Sequence, residues 1–266
     1  MARRSIAGVW TLLIVFVGYA ASALPIHAAT VTLNPVADTF VSSANAGNSY
    51  GAAGSFEVSA AGLPKGEFES LLQFDLSSAK TSFDSTFGVG DWTVQSASLQ
   101  LTAAAPVNSL FNASAAGTLD FSWMQNDTWV EGSGTPMAPG NNGITWNTLS
   151  NYLSAGDQSL GAFSFNGATS GNVNFSLSLP TGFLSDVESG NTNSSIRLFA
   201  GDTNVSGLFN SENFTTVASR PMLSITAAPL AIPEPASWVL GLIGIAALAL
   251  NRRRRNDRSH GVRRRG

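Results

Sequence analysis

Cysteine is absent from all 266 residues, and histidine occurs only twice, at His27 and His260, both outside the central part of the chain. Thiol nucleophiles, His-based triads and ordinary zinc sites are therefore excluded. Charge is scarce as well, at 12% of residues. Residues 30–230 carry only Lys65, Lys80, Arg197 and Arg220 as cations, against fifteen carboxylates, a net charge of −11. A nucleic-acid role needs a basic surface to neutralise phosphates, and this stretch has the opposite sign, so no nucleic-acid partner is expected. No long helical apolar period appears between residues 30 and 230 either, which argues against a helical bundle.

The positive charge that the middle lacks sits at the two ends. Arg3 and Arg4 precede an apolar run from Ile6 to Ala21, and Ala21-Ser22-Ala23 offers small residues in an A-x-A arrangement. This pattern reads as a secretory signal over residues 1–29, to be cut by signal peptidase. Cleavage after Ala23 fits the rule, cleavage after Ala28 or Ala29 lies closer to the first strand-like residues, and an uncleaved anchor is the alternative. At the other end, Pro233-Glu234-Pro235 leads into Ala236 to Leu250, almost wholly apolar, and then into Arg252, Arg253, Arg254 and Arg255. Fifteen helical residues span roughly 22 Å, short of the roughly 30 Å hydrocarbon thickness, so this segment makes a weak membrane anchor. The four arginines favour the cytoplasmic side, which places the acidic part outside. The two prolines stop the helix from extending backward and leave an extended strip open to an enzyme.

This order of Pro-Glu-Pro, short apolar helix and arginine cluster resembles the PEP-CTERM sorting signal, over residues 229–266. The resemblance implies recognition by an exosortase, a membrane transpeptidase-like protease, with the chain anchored transiently in the inner membrane and the domain then released or transferred to the cell surface. Asn256 to Gly266, with Arg263, Arg264 and Arg265, extends beyond the usual end of such tails. A plain tail anchor that is never processed is the competing reading.

Between the two ends, apolar residues alternate with polar ones: Leu99 and Leu101; Leu119, Phe121 and Trp123; Val173, Phe175, Leu177 and Leu179; Leu223 and Ile225. Alternation puts each set on one face of a strand. Turn-rich stretches such as Asn45 to Gly54, Gly132 to Gly143 and Gly201 to Gly207 separate them, and Pro180 to Ser189 is the one place suited to a short helix. The pattern predicts an all-β fold, an antiparallel β-sandwich of jelly-roll type over residues 30–228, flanked by a signal helix and a short transmembrane helix.

Several blocks then resemble the DNRLRE family of exported β-sandwich domains, which is related to carbohydrate-binding modules. Ala37-Asp38-Thr39-Phe40-Val41 with Asn48-Ser49-Tyr50-Gly51, then Leu71 to Ser77, Ser96 to Leu101, Trp129-Val130-Glu131-Gly132, Ile144-Thr145-Trp146-Asn147, Asn210-Ser211-Glu212 and Arg220-Pro221-Met222-Leu223 follow the family's order from Val36 to Ile225. The resemblance implies a non-catalytic module of structural or exopolysaccharide-associated role.

Trp129, Glu131 and Trp146 are the candidate glycan-binding residues, because aromatic faces stack on sugar rings and a carboxylate accepts hydrogen bonds from hydroxyls. The alternative puts both indoles in the core and Glu131 in a turn. Asp38, Asp75 and Glu212 are candidate ligands for a structural calcium, against turn capping or surface solvation; no other cofactor is expected. Ser77-Ser78-Ala79-Lys80 satisfies S-x-x-K but lacks the partner motifs of that enzyme class, follows a strand where a helix is needed, and reads as chance. No pair of carboxylates has the spacing of a glycoside hydrolase, so no enzymatic activity is expected. Two functions remain: a surface or matrix building block, and a carbohydrate-binding module for a neutral or calcium-bridged polysaccharide.

Overall fold

A computed structural model of the chain describes residues 27–230 and 243–248. Residues 1–26 of the expected signal segment, Pro233-Glu234-Pro235 and Arg252 to Arg255 lie outside the described residues, while Ala29, the last residue of that expected segment, opens the first strand. Residues 243–248 are helical, and no helix among the described residues is long and apolar enough to cross a membrane.

Eleven strands form two antiparallel sheets. In chain order they are β1 (Ala29–Leu33), β2 (Ala37–Ser42), β3 (Ser55–Ser59), β4 (Phe68–Phe74), β5 (Trp92–Thr102), β6 (Gly117–Met124), β7 (Gln158–Phe165), β8 (Asn172–Leu177), β9 (Ser194–Ala200), β10 (Ser206–Asn210) and β11 (Met222–Pro229). The four-stranded sheet has the order β1-β11-β5-β8, and the seven-stranded sheet β10-β3-β4-β9-β6-β7, with β2 also paired to β4. Their facing sides enclose one aromatic-rich core that includes Phe40, Phe56, Phe68, Leu99, Leu119, Phe121, Phe175, Phe209 and Ile225. The apolar alternation seen in the sequence is this inner face: Leu99, Leu101, Leu119, Phe121, Phe175, Leu223 and Ile225 are all buried.

The outer face of the seven-stranded sheet is not uniformly wet. All seven residues of β4 are buried. Phe68, Leu72 and Phe74 join the main core, while Leu71 joins a second cluster with Val41, Met124, Trp129, Ile144 and Leu149. Four of those six residues lie between positions 124 and 149, so the long connection from β6 to β7 folds back as a cover over half of the sheet's outer face. Within it, α2 (Trp146–Leu149) begins with a reciprocal Thr145/Thr148 capping box.

Two further helices close the sandwich: α1 (Ser77–Phe87) and α3 (Thr181–Ser189). The second falls where Pro180 to Ser189 is suited to one. The first corrects the expectation that the S-x-x-K tetrad is not helical, because Ser77 to Lys80 form the opening turn of α1. Only Ala79 and Phe83, four residues apart, are buried on this helix, and serine and threonine dilute the periodicity until the sequence hides it. Each helix is tied to a strand by an indole. Trp92 Nε1 donates to Asp84 Oδ1 of α1 at 2.8 Å, and Trp123 Nε1 donates to Asp186 Oδ2 of α3 at 2.6 Å. The two bonds hold both helices against the sheets. Lys80 is an ion-pair partner of Asp84, so the lysine of the tetrad serves a helix-surface salt bridge.

Candidate functional site

The half of the outer face left open by the cover is built from β9, β6 and β7. On β9, Ile196 and Leu198 point into the core, so the pleat sends Arg197 and Phe199 outward. Register places Asp120 of β6 opposite Phe199 and Ser122 opposite Arg197. These four side chains form a two-by-two patch. A wall formed by Leu153, Ser154 and Asp157 turns the patch into a groove of about 500 Å³.

Arg197 is locked at the groove's centre. Its Nη2 donates to Glu69 Oε1 at 2.8 Å and its Nε to Glu69 Oε2, a two-point ion pair. The guanidinium carbon also stands 4.3 Å from the centroid of the Phe199 ring. Such a bidentate, stacked arginine is oriented rather than mobile, and Glu69 cancels its charge. Nη1 is not used by Glu69. Ser122 Oγ is buried without a hydrogen-bond partner, while Asp157 is committed to the backbone N–H groups of Gln125 and Ser154. A half-buried aromatic ring, an oriented donor and an acidic acceptor on a flat strand surface match what a hydroxyl-rich ligand requires. None of these residues was singled out from the sequence. The signal was the string Ile196-Arg197-Leu198-Phe199, in which an outward phenylalanine alternates with core residues and has no core role to explain it.

The residues singled out from the sequence lie elsewhere. Trp129 is 5% exposed, belongs to the second core cluster, and donates Nε1–H to Ser195 Oγ at 2.9 Å. Both faces of the ring are thus enclosed by the cover and the sheet. Trp146 is half-buried at the start of α2, packed against the same cluster. Glu131 is turned toward β2, where its Oε1 accepts the Asp38 N–H at 3.1 Å. The three do not present a common platform to solvent, because the two indoles serve to hold the cover down.

Glu131 instead belongs to a carboxylate pocket. Asp38, 1% exposed, accepts the Glu212 N–H through Oδ2. Burial pushes the Asp38 carboxyl well above its ordinary range, against the Glu212 hydrogen bond, and the Glu212 and Glu131 carboxylates push it further. Burial raises Glu131 to about 7, and raises Glu212 against the opposing charge of Arg220. Gly51 shapes the pocket: a Cβ there would lie 2.3 Å from Glu131 Cγ and 2.4 Å from the Glu131 carbonyl oxygen, so only glycine lets the two loops approach. Asp75 is not part of this group. Its Oδ1 accepts the Ser77 N–H at the start of α1, and hydrogen bonds from Ser77 hold its pKa below the ordinary value. Among the described residues, no three or more histidine, cysteine or carboxylate side chains form a ready-made metal site.

Another buried carboxyl lies outside this pocket. Glu57 is 0% exposed, and its Oε1 accepts from the Asn112 N–H at 2.9 Å and the Ser206 hydroxyl at 2.8 Å. Desolvation pushes it up to about 8, against those two hydrogen bonds.

Comparison with known proteins adds two matches. Carbohydrate-binding module family 96 matches residues 29–226, and the PEP-CTERM protein-sorting motif matches residues 231–255. Both are non-catalytic, and no enzyme domain is found. The second implies export through the membrane and processing by an exosortase. No curated protein matches the chain.

Proposed function

The chain belongs to carbohydrate-binding module family 96, and we propose that its sandwich binds a neutral polysaccharide along the open outer face of the seven-stranded sheet. The observation that carries this reading is the extent of the family match, which spans the whole sandwich from β1 to within β11. The groove supplies the chemistry. Phe199 offers an apolar face to a pyranose ring, Asp120 accepts hydroxyl hydrogen bonds, and Arg197 donates from Nη1. Because Glu69 already neutralises Arg197 and Asp120 adds a negative charge, acidic glycans are disfavoured and neutral ones accepted.

In the full proposal the chain divides into a signal peptide at 1–29, a jelly-roll-like sandwich of DNRLRE type at 30–228 and a sorting tail at 229–266. Signal peptidase removes the first segment. The tail inserts as a short membrane helix, an exosortase acts at Pro233-Glu234-Pro235, and the sandwich reaches the cell surface or matrix among exopolysaccharide. The module is non-catalytic throughout.

Affinity electrophoresis in neutral glucan and galactomannan gels tests the binding face. The wild type is retarded, whereas Phe199→Ala and Asp120→Asn run freely at unchanged thermal midpoints. Binding that survives both changes, or turnover of the glycan, would overturn the reading.

A second part concerns the carboxylate pocket. Asp38, Glu131 and Glu212 come from three separate sequence blocks, yet converge with a buried aspartate among them. We propose that calcium relieves their mutual repulsion as the pH rises, drawing together carboxylates that do not by themselves make a ready-made site, with backbone oxygens completing the shell. Millimolar calcium then raises the thermal midpoint, chelator reverses the rise, and Asp38→Asn abolishes it. A wild-type midpoint indifferent to calcium at pH 8 sinks this part.

A further inference from the structure

Both segments outside the sandwich leave it from one end. Ala29, the first residue of β1, is register partner to Ala227 of β11, and Pro229, the last residue of β11, is partner to Trp92. The final tie to the fold is the Leu230 N–H donating to the Asp91 carbonyl at 2.9 Å. The signal segment and the sorting tail therefore attach side by side.

At this same end the link between α1 and β5 makes a tip where exposed Val89 stands two residues before exposed Asp91. Val89 is 81% exposed, held out between Gly88 and Gly90, whose φ values of 103° and 74° favour glycine. Leu230, 47% exposed, lies beside it, and the two share a recess of about 480 Å³ with Trp92, Lys80, Asp84 and Glu188.

Chain length decides what covers this tip. Pro233 is three residues beyond Leu230 and the apolar run starts at Ala236, six beyond. An extended chain covers at most about 3.3–3.6 Å per residue, so the run begins within roughly 20 Å of the sandwich and Pro233 within about 11 Å. Once the tail is in the bilayer, this end of the sandwich is held within roughly 20 Å of it.

We propose that, until the tail is removed, this end of the sandwich rests on the lipid surface, with Val89 and Leu230 in the headgroup layer. This rests on the reading that the tail inserts. The contact is made by Val89 and Leu230 and enforced by the tether, because Lys80 is paired with Asp84 and the exposed Asp91 and Glu188 at this end are repelled by anionic lipid. An exosortase must then reach Pro233-Glu234-Pro235 at the seam between domain and membrane.

The absence of cysteine supplies the test. Val89→Cys and Val107→Cys each introduce a sole thiol into the full chain, the second at a 94% exposed site past the far end of β5, an eleven-residue strand roughly 36 Å long. Each is labelled with an environment-sensitive fluorophore and reconstituted into phosphatidylethanolamine/phosphatidylglycerol vesicles carrying a headgroup-level spin label. The label at 89 is quenched at least twofold more than the label at 107. Equal quenching at the two positions in chains that float with the vesicles overturns the contact alone. Chains that do not float overturn the insertion of the tail, and the contact with it.

Discussion

Replacing Glu57 with glutamine should raise stability at alkaline pH and leave it nearly unchanged at acidic pH. The wild-type carboxyl has a folded pKa of about 8 against an ordinary value of 4.5. A pKa raised on folding means that the native state holds a proton the unfolded chain gives up. The stabilisation from that proton is full below about pH 4.5 and is lost as pH rises through about 8. At roughly 1.4 kcal/mol per pKa unit, the loss is on the order of 5 kcal/mol. That is a large share of the roughly 5–15 kcal/mol that holds a domain together. Glutamine copies the shape of the protonated acid and keeps one oxygen to accept from Asn112 and Ser206, but it cannot ionise. Urea titration of the full chain in mild detergent, followed by tryptophan fluorescence at pH 5, 7 and 9, reads the difference. The two proteins agree within about 1 kcal/mol at pH 5, and the variant is more stable by several kcal/mol at pH 9. Asp38 and Glu131 tilt both curves alike, so the comparison isolates Glu57. Curves that remain parallel from pH 5 to 9 would refute the assignment of a proton to this buried group.

Other expectations follow from packing. Trp129→Ala empties the centre of the second cluster and leaves Ser195 Oγ without the indole donor; it costs about 3–5 kcal/mol by urea unfolding, and any loss of glycan binding tracks the unfolding of the cover. Gly51→Ala forces a methyl group onto the Glu131 carbonyl and lowers stability by about 1–3 kcal/mol, while also displacing Glu131 from the Asp38 N–H. Arg197→Ala strands Glu69 in a nearly buried position and destabilises by about 3–5 kcal/mol, so the loss of binding it causes is interpretable only beside Phe199→Ala.

The sandwich was legible because its inner face is written in period two. Leu99 and Leu101, Leu119 and Phe121, and Leu223 and Ile225 alternate with polar residues, and that alternation survives any particular topology. Strand order was not legible, since pairings such as β1 with β11 join residues nearly 200 positions apart and no local pattern encodes them. Helix α1 escaped because two buried residues among serines and threonines make no visible stripe. The aromatic candidates do not share one open surface for a physical reason: Trp129 and Trp146 belong to a cover folded over one face of the sheet, and a sequence does not reveal that a sheet has a third layer. The same cover determines what remains open, and so the groove at Arg197 and Phe199 could be located only once the cover was. The carboxylate pocket was half visible. Asp38 and Glu212 stood out as acidic residues within recognisable blocks, but Asp75 went to a helix start and Glu131 took its place.

Hydrogen–deuterium exchange of the full chain with and without a bound neutral polysaccharide tests the central claim most directly. The account predicts slowed exchange confined to residues 119–122 of β6, 158–162 of β7 and 197–199 of β9, with the four-stranded sheet and the cover unchanged. Protection that maps to Trp129, Trp146 and the cover, or to the four-stranded sheet, with β9 unaffected, would contradict it.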